Sequence, residues 1–236
     1  MKIVLIIKRA MDLTFGIFLI LLFLPVMIGI AIAVKLTSKG PIFYKQTRTG
    51  ALSLINDDVP VFLVYKFRTM EVDAESKTGA VLSKPNDPRT TPIGAFLRRT
   101  RLDELPQLFN VIKGDMSIVG PRPERPELMR PLNSSIPFFE ERLRFVKPGI
   151  TGLAQIKLKY DGNISNDSEL APLMSALVNP FDMEELNGAV ADGMRLKLLY
   201  DLVYSTSLER LTTFLKTDLS IMIKTPYVMF FNKTGQ

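Results

Sequence analysis

The longest apolar stretch of the chain runs from Leu13 to Val34 without a charged residue. At about 1.5 Å rise per residue, a helix of this length just crosses a hydrocarbon core of roughly 30 Å. Pro25 stands in its middle, where it removes a helix hydrogen bond and crowds the preceding turn, so a bend or break is expected near Leu24. Basic residues flank both ends, with Lys2, Lys8 and Arg9 before and Lys35, Lys39, Lys45 and Arg48 after. The positive-inside bias therefore selects no direction. Two arrangements stay open: an ordinary span, and a re-entrant, Pro-broken helix whose ends share one side. A cleaved signal peptide fits less well, because the apolar run is too long and no small-residue cleavage site follows. The pattern divides the chain into a membrane segment, 1–36, and a remainder, 37–236, of a size for one folded domain.

Within the remainder, Val61 to Met70 reads as a strand by its β-branched and aromatic content. Alternation would set Lys66 and Arg68 on one face and Tyr65, Phe67 and Thr69 on the other. Residues 71–92, punctuated by Gly79, Pro85, Pro88 and Pro92, read as loop. A short helix is expected over Ile93–Arg99 and another from near Asp103. Gly114 to Arg125 reads as loop again, stiffened by Pro121, Pro123 and Pro126, and 161–194 as a polar insertion with one short helical piece. Leu208, Leu211, Leu215, Leu219 and Met222 recur at helical spacing with Arg210, Lys216 and Lys224 nearby, which predicts an amphipathic helix that packs on the domain or lies at a bilayer surface. The fold class expected is mixed α/β and helix-rich.

Charge narrows the partners. Thirty Lys and Arg against 24 Asp and Glu leave a formal +6, which favours lipid phosphates, nucleic acid or phosphorylated substrates. Nucleic acid fits poorly, since the basic residues are not interleaved with aromatics on a recognisable module. The chain has no Cys and no His, so disulfides, thiolates and the usual imidazole base are excluded. What is left is carboxylate chemistry supported by Lys, Arg or a hard, oxygen-bound cation.

The candidate for that chemistry is the pair Asp103-Glu104. Taken alone it has a plain structural reading, because Thr100 followed by Asp103 fits a helix capping box. Helix neighbours diverge by about a hundred degrees, which does not suit two opposed glycosidase carboxylates but does suit one nucleophile beside one metal ligand. Arg98, Arg99 and Arg101 precede the pair, and Arg122 and Arg125 follow it. Arginine forks match phosphate oxygens, and Pro121 and Pro123 would fix Arg122 in place.

Four motifs in order, Lys66-Phe67-Arg68-Thr69-Met70, Leu102-Asp103-Glu104-Leu105-Pro106-Gln107-Leu108-Phe109-Asn110-Val111, Lys113 to Pro123, and Lys147-Pro148-Gly149-Ile150-Thr151-Gly152, resemble the bacterial sugar transferases, or monotopic phosphoglycosyl transferases. The match in order and spacing extends from about Lys8 to Lys224. The resemblance implies a re-entrant membrane helix at the cytoplasmic face of the plasma membrane and a covalent two-step reaction. Asp103 would attack the sugar-bearing phosphate of a UDP-sugar, release UMP, and pass the phosphosugar to undecaprenyl phosphate. Glu104 would help hold Mg²⁺, and Lys66, Arg68, Arg98 and Arg122 would serve phosphates. The chain departs from the family at Leu24, where a serine commonly precedes the proline, at Leu153, commonly Trp, and at Lys157-Leu158-Lys159, commonly Asn-Gly-Arg, so that Lys159 would replace a substrate-binding arginine. A catalytically silent membrane scaffold that binds lipid phosphate is the competing reading.

Overall fold

The computed structural model of the chain describes residues 2–52, 60–72, 74, 87–158 and 188–231. Helix α1 spans Lys2–Thr37 and continues through Pro25. The expected interruption near Leu24 is thus absent from its helical backbone. One proline costs one hydrogen bond, whereas a full break in an apolar segment would strand several backbone groups. Two stretches of α1 are buried: Val4, Lys8, Asp12 and Gly16, then Met27, Ile30 and Val34. Phe18, Leu21, Leu22, Ile28 and Ile32 face outward.

Strands β1 (Phe43–Thr49) and β2 (Val61–Phe67) form an antiparallel pair, with Phe43 opposite Phe67 and Thr49 opposite Val61. The ladder ends at Phe67, short of the Met70 expected. Beyond it the Arg68 guanidinium turns to Ser38 and Lys39 just past the end of α1. Helix α2 (Pro92–Thr100) starts as anticipated, with Thr91 Oγ1 accepting from the Gly94 amide at 3.0 Å and Pro92 at the first turn. A Cβ on Gly94 would meet the Thr69 carbonyl oxygen at 2.0 Å, so glycine lets α2 lie directly on the chain leaving β2. A 3₁₀ turn at Leu102–Glu104 leads to α3 (Gln107–Lys113), which Gly114 ends at φ 98°.

The segment 114–125 is not all loop. It contains β3 (Ser117–Val119), parallel to β4 (Gly149–Thr151). Three residues are too few to show a period, which is why neither strand was legible. Then come α4 (Pro126–Ser135), α5 (Leu153–Lys157), α6 (Gly188–Ser207) and α7 (Leu211–Phe231). Most of the 161–194 insertion lies outside the described residues. Leu208 sits in the turn between α6 and α7, and the buried line on α7 is Phe214, Asp218 and Ile221. Of the expected stripe, Leu208 is buried and Leu215 and Met222 pack against the main core, whereas Leu211 and Leu219 are exposed and the buried line includes Asp218. It is buried, paired with Lys8 at 2.8 Å and with the Tyr204 hydroxyl at 2.9 Å.

Val64, Val111, Met116, Ile118, Tyr204 and Phe214 form the main core with Val4 of α1. Phe67 and Leu97 form a second cluster with Met27, Ile30 and Val34. Both halves of α1 therefore pack on the same domain. Polar bonds reinforce the first half: Arg9 donates to the Val111 and Ile112 carbonyls at 2.6 and 2.8 Å, and Asp12 accepts from Ser117 Oγ and the Ile118 amide, each at 2.9 Å.

Candidate active site

The carboxylate pair is placed by a local backbone event. Arg101, at φ 58° and ψ 13°, adopts the left-handed conformation, ends α2 and opens the 3₁₀ turn that bears Asp103 and Glu104. For a residue with a Cβ this costs roughly 1–2 kcal/mol, which the surrounding packing must hold. The capping-box reading does not survive. Thr100 is the last residue of α2, and its hydroxyl donates to the Phe96 and Leu97 carbonyls at 2.9 and 3.2 Å. Leu102 and Leu105 pack against the cluster of Met27, Ile30, Val34, Phe67 and Leu97, so the pair between them sits beside the second half of the apolar helix.

Asp103 is 7% exposed and Glu104 is 8% exposed. Their surroundings differ. Lys66 Nζ donates to Glu104 Oε1 at 2.8 Å and Arg122 NH2 to the same oxygen at 2.9 Å. Burial pushes the Glu104 carboxyl up, but Arg122 and Lys66 outweigh it and hold the group well below the usual carboxylate range. Asp103 Oδ1 has no hydrogen-bond partner among the described residues. Burial, helped by the neighbouring Glu104 charge and opposed by Lys66, Arg101 and Arg98, pushes Asp103 up to about 6. One carboxylate is thus held ionised by cations, and its neighbour keeps an oxygen without a partner.

The remaining expected site residues divide. Lys66 and Arg122 converge on Glu104, and Arg98 Nε donates to Thr69 Oγ1 at 3.0 Å, close enough for its charge to act on Asp103. Arg68 goes elsewhere. It is 5% exposed and its guanidinium donates at 2.9 Å to both the carbonyl and the hydroxyl of Ser38, which ties it to the end of α1 and not to Glu104. The cause is the early end of β2, which removes the alternation that grouped it with Lys66. Lys159 lies outside the described residues. Pro25 stays inside α1, and Leu153 packs against the main core at the start of α5.

Two contributors were not foreseen. Arg48 on β1 bonds Gln46 Oε1 through Nε at 3.0 Å and the Pro123 carbonyl at 3.1 Å, with burial and then Arg122 lowering its pKa. Asn110 is fully buried and completes the edge of β2, accepting from the Tyr65 amide at 3.0 Å and donating to the Leu63 carbonyl at 2.7 Å. A lone basic residue in a strand and one Asn in a helix carry no periodic signal.

Comparison with known proteins decides the family. The model of the bacterial sugar transferases matches residues 3–232. The chain belongs to the bacterial sugar transferase family. It is 46% identical over 155 residues to a Bacillus subtilis (strain 168) protein named provisionally as an undecaprenyl-phosphate N-acetylgalactosaminyl 1-phosphate transferase, covering 66% of this chain and 78% of that one. It is 47% identical over 149 residues to the UDP-glucose:undecaprenyl-phosphate glucose-1-phosphate transferase of Escherichia coli (strain K12), covering 63% of this chain but only 30% of that protein. An exopolysaccharide production protein of Rhizobium leguminosarum bv. phaseoli is 40% identical over 156 residues, 65% of this chain and 74% of its own. The chain is accordingly a member of an enzyme family of phosphoglycosyl transferases, built as a helix-rich α/β domain behind one long apolar helix.

Proposed function

We propose that this chain transfers a sugar 1-phosphate from a UDP-sugar to undecaprenyl phosphate through a covalent phosphosugar on Asp103, releasing UMP, at the cytoplasmic face of a bacterial plasma membrane. The observation that carries the reading is the buried, unpartnered oxygen of Asp103, under the charges of Lys66, Arg98 and Arg101, with Arg122 on the adjacent Glu104, on a turn that packs against the long apolar helix.

In the first step the Asp103 carboxylate attacks the phosphorus that bears the sugar. The bond from that phosphorus to the bridging oxygen breaks, and the oxygen leaves with UMP. In the second, a phosphate oxygen of the polyprenol phosphate attacks the same phosphorus and Asp103 is expelled as a carboxylate. Neither step needs a protein proton donor, which accords with a chain that has no His. A carboxylate with a free oxygen is a better nucleophile than one already bound to cations, and this separates Asp103 from Glu104. Lys66, Arg98 and Arg122 stand where diphosphate charge must be neutralised, the main demand of phosphoryl transfer.

Mg²⁺ is usually bound through one or two carboxylates plus substrate phosphates. That fits two adjacent acids and no larger cage, since no group of three His, Cys, Asp or Glu capable of holding a metal occurs among the described residues. Glu104 would hold the ion, which would neutralise diphosphate charge when bound.

A monotopic placement is supported by the packing of α1. A helix crossing roughly 30 Å of hydrocarbon would carry one end away from the domain, yet a buried stripe runs along both ends of α1, Val4, Lys8, Asp12 and Gly16 and then Met27, Ile30 and Val34, while Phe18, Leu21 and Leu22 between them face outward. The test is a panel of UDP-sugars, including UDP-glucose and UDP-N-acetylgalactosamine, incubated with the protein in nanodiscs, undecaprenyl phosphate and Mg²⁺. UMP release from at least one supports the reading. No release from any leaves the silent lipid-phosphate scaffold.

A further inference from the structure

The chain from Arg122 to Glu124 belongs to no ladder, and Pro123 contributes no amide hydrogen. Its three successive carbonyls are nevertheless each caught, the first by Arg142 and the next two by the end of β1. Arg142 NH2 donates to the Arg122 carbonyl at 2.6 Å, Arg48 NH1 to the Pro123 carbonyl at 3.1 Å, and the Thr49 amide and hydroxyl to the Glu124 carbonyl at 3.0 and 3.2 Å. Arg142 is fully buried, and its other nitrogens are spoken for: Nε donates to Asp201 Oδ2 at 2.8 Å and NH1 to Glu124 Oε1 at 3.4 Å. Its fork also lies over the Phe139 ring at 4.9 Å. Lys197 makes a further ion pair with Glu124, so two cations and two carboxylates balance.

We infer that Arg142 and Arg48 are positioning residues that clamp this loop by its carbonyls and thereby set the Arg122 guanidinium over Glu104 and the donor diphosphate. The inference rests on the proposed reaction. Neither arginine needs to touch substrate for this. A planar fork fixed at several nitrogens holds a carbonyl in one direction, whereas a lysine ammonium keeps the charge and loses that geometry. Misplacing a substrate-orienting group by about 1 Å costs on the order of 100-fold in rate.

The experiment is a double-mutant cycle on UMP release in nanodiscs, with Arg142→Lys, Arg48→Lys, Arg122→Lys and the two pairwise combinations, and thermal unfolding measured alongside. Each clamp variant is expected to lose about 10- to 100-fold in kcat/KM for the UDP-sugar, and to lose little more activity when Arg122 is already lysine. Multiplicative losses in the double variants would overturn the inference, as would single variants with unchanged kcat/KM. Should Arg142→Lys not fold, the Arg48 arm decides on the same criterion. A wild-type protein that releases no UMP would instead sink the proposed reaction and is read separately.

Discussion

Two buried carboxylate clusters share Arg122, and they differ in how completely their acids are paired. Its guanidinium donates to Glu104 beside Asp103, and its carbonyl accepts from Arg142 beside Glu124. On the Arg142 side every charge has a partner: burial pushes Glu124 up, but Lys197 and Arg142 prevail and hold it at about 2. On the other side Asp103 is pushed up to about 6 and one of its oxygens is left without a partner. Comparable burial therefore leaves a paired acid in one cluster and an oxygen without a partner in the other. Protein interiors satisfy their polar atoms almost without exception, so the unsatisfied cluster is where chemistry is expected.

The difference breaks most visibly at Asp103. Asp103→Asn should lower turnover by roughly 10⁴-fold or more, the scale of losing a nucleophile, while membrane attachment is retained. UMP release by the variant near the wild-type rate would remove the distinction between the clusters. The second largest effect belongs to the satisfied side. Glu124→Gln leaves Arg142 and Lys197 short of a buried counter-charge, and chemical denaturation in detergent should show a loss of about 3–5 kcal/mol. The sign agrees with pH linkage: a carboxyl held low in the folded state stabilises it above the unfolded value near 4.5, and that gain is lost as pH falls toward about 2.

Asp103 should behave inversely. Its folded value, about 6, exceeds the ordinary 3.8, so the folded state is penalised as pH rises from about 4, and fully so above about 6. Asp103→Asn should then be more stable than wild type at pH 7–8, by up to about 3 kcal/mol at roughly 1.4 kcal/mol per pH unit, with the advantage fading below about pH 4. The smallest effect concerns Arg68. Arg68→Lys should cost about 1–2 kcal/mol through its lost bonds to Ser38, with kcat/KM unchanged within about twofold; a large loss of turnover would return Arg68 to the phosphates.

How much of this was legible follows from what each residue's role depends on. The apolar run, α2 and the Asp103-Glu104 pair are local patterns, and the sequence displayed them. The long motifs carried the family. Arg48, Asn110 and Arg142 act by meeting chain that lies far along the sequence, at Pro123, Leu63 and Arg122, and no spacing encodes such a meeting. The alternation expected through Met70 stops at Phe67, where β2 ends, and Asp218 is buried on α7 through an ion pair with Lys8 that no spacing encodes. Continuity through Pro25 depends on Met27, Ile30 and Val34 packing against Phe67 and Leu97, which only the tertiary structure supplies.

In the proposed reaction, Asp103 stands as the nucleophile of a covalent first step. Incubating the protein with a productive UDP-sugar and Mg²⁺, without any polyprenol phosphate, and recording the intact mass tests it directly. The account predicts an added phosphosugar that maps to the peptide containing Asp103, disappears on adding undecaprenyl phosphate, and is absent from Asp103→Asn. UMP release with no adduct at any time, or an adduct that persists in Asp103→Asn, would contradict it.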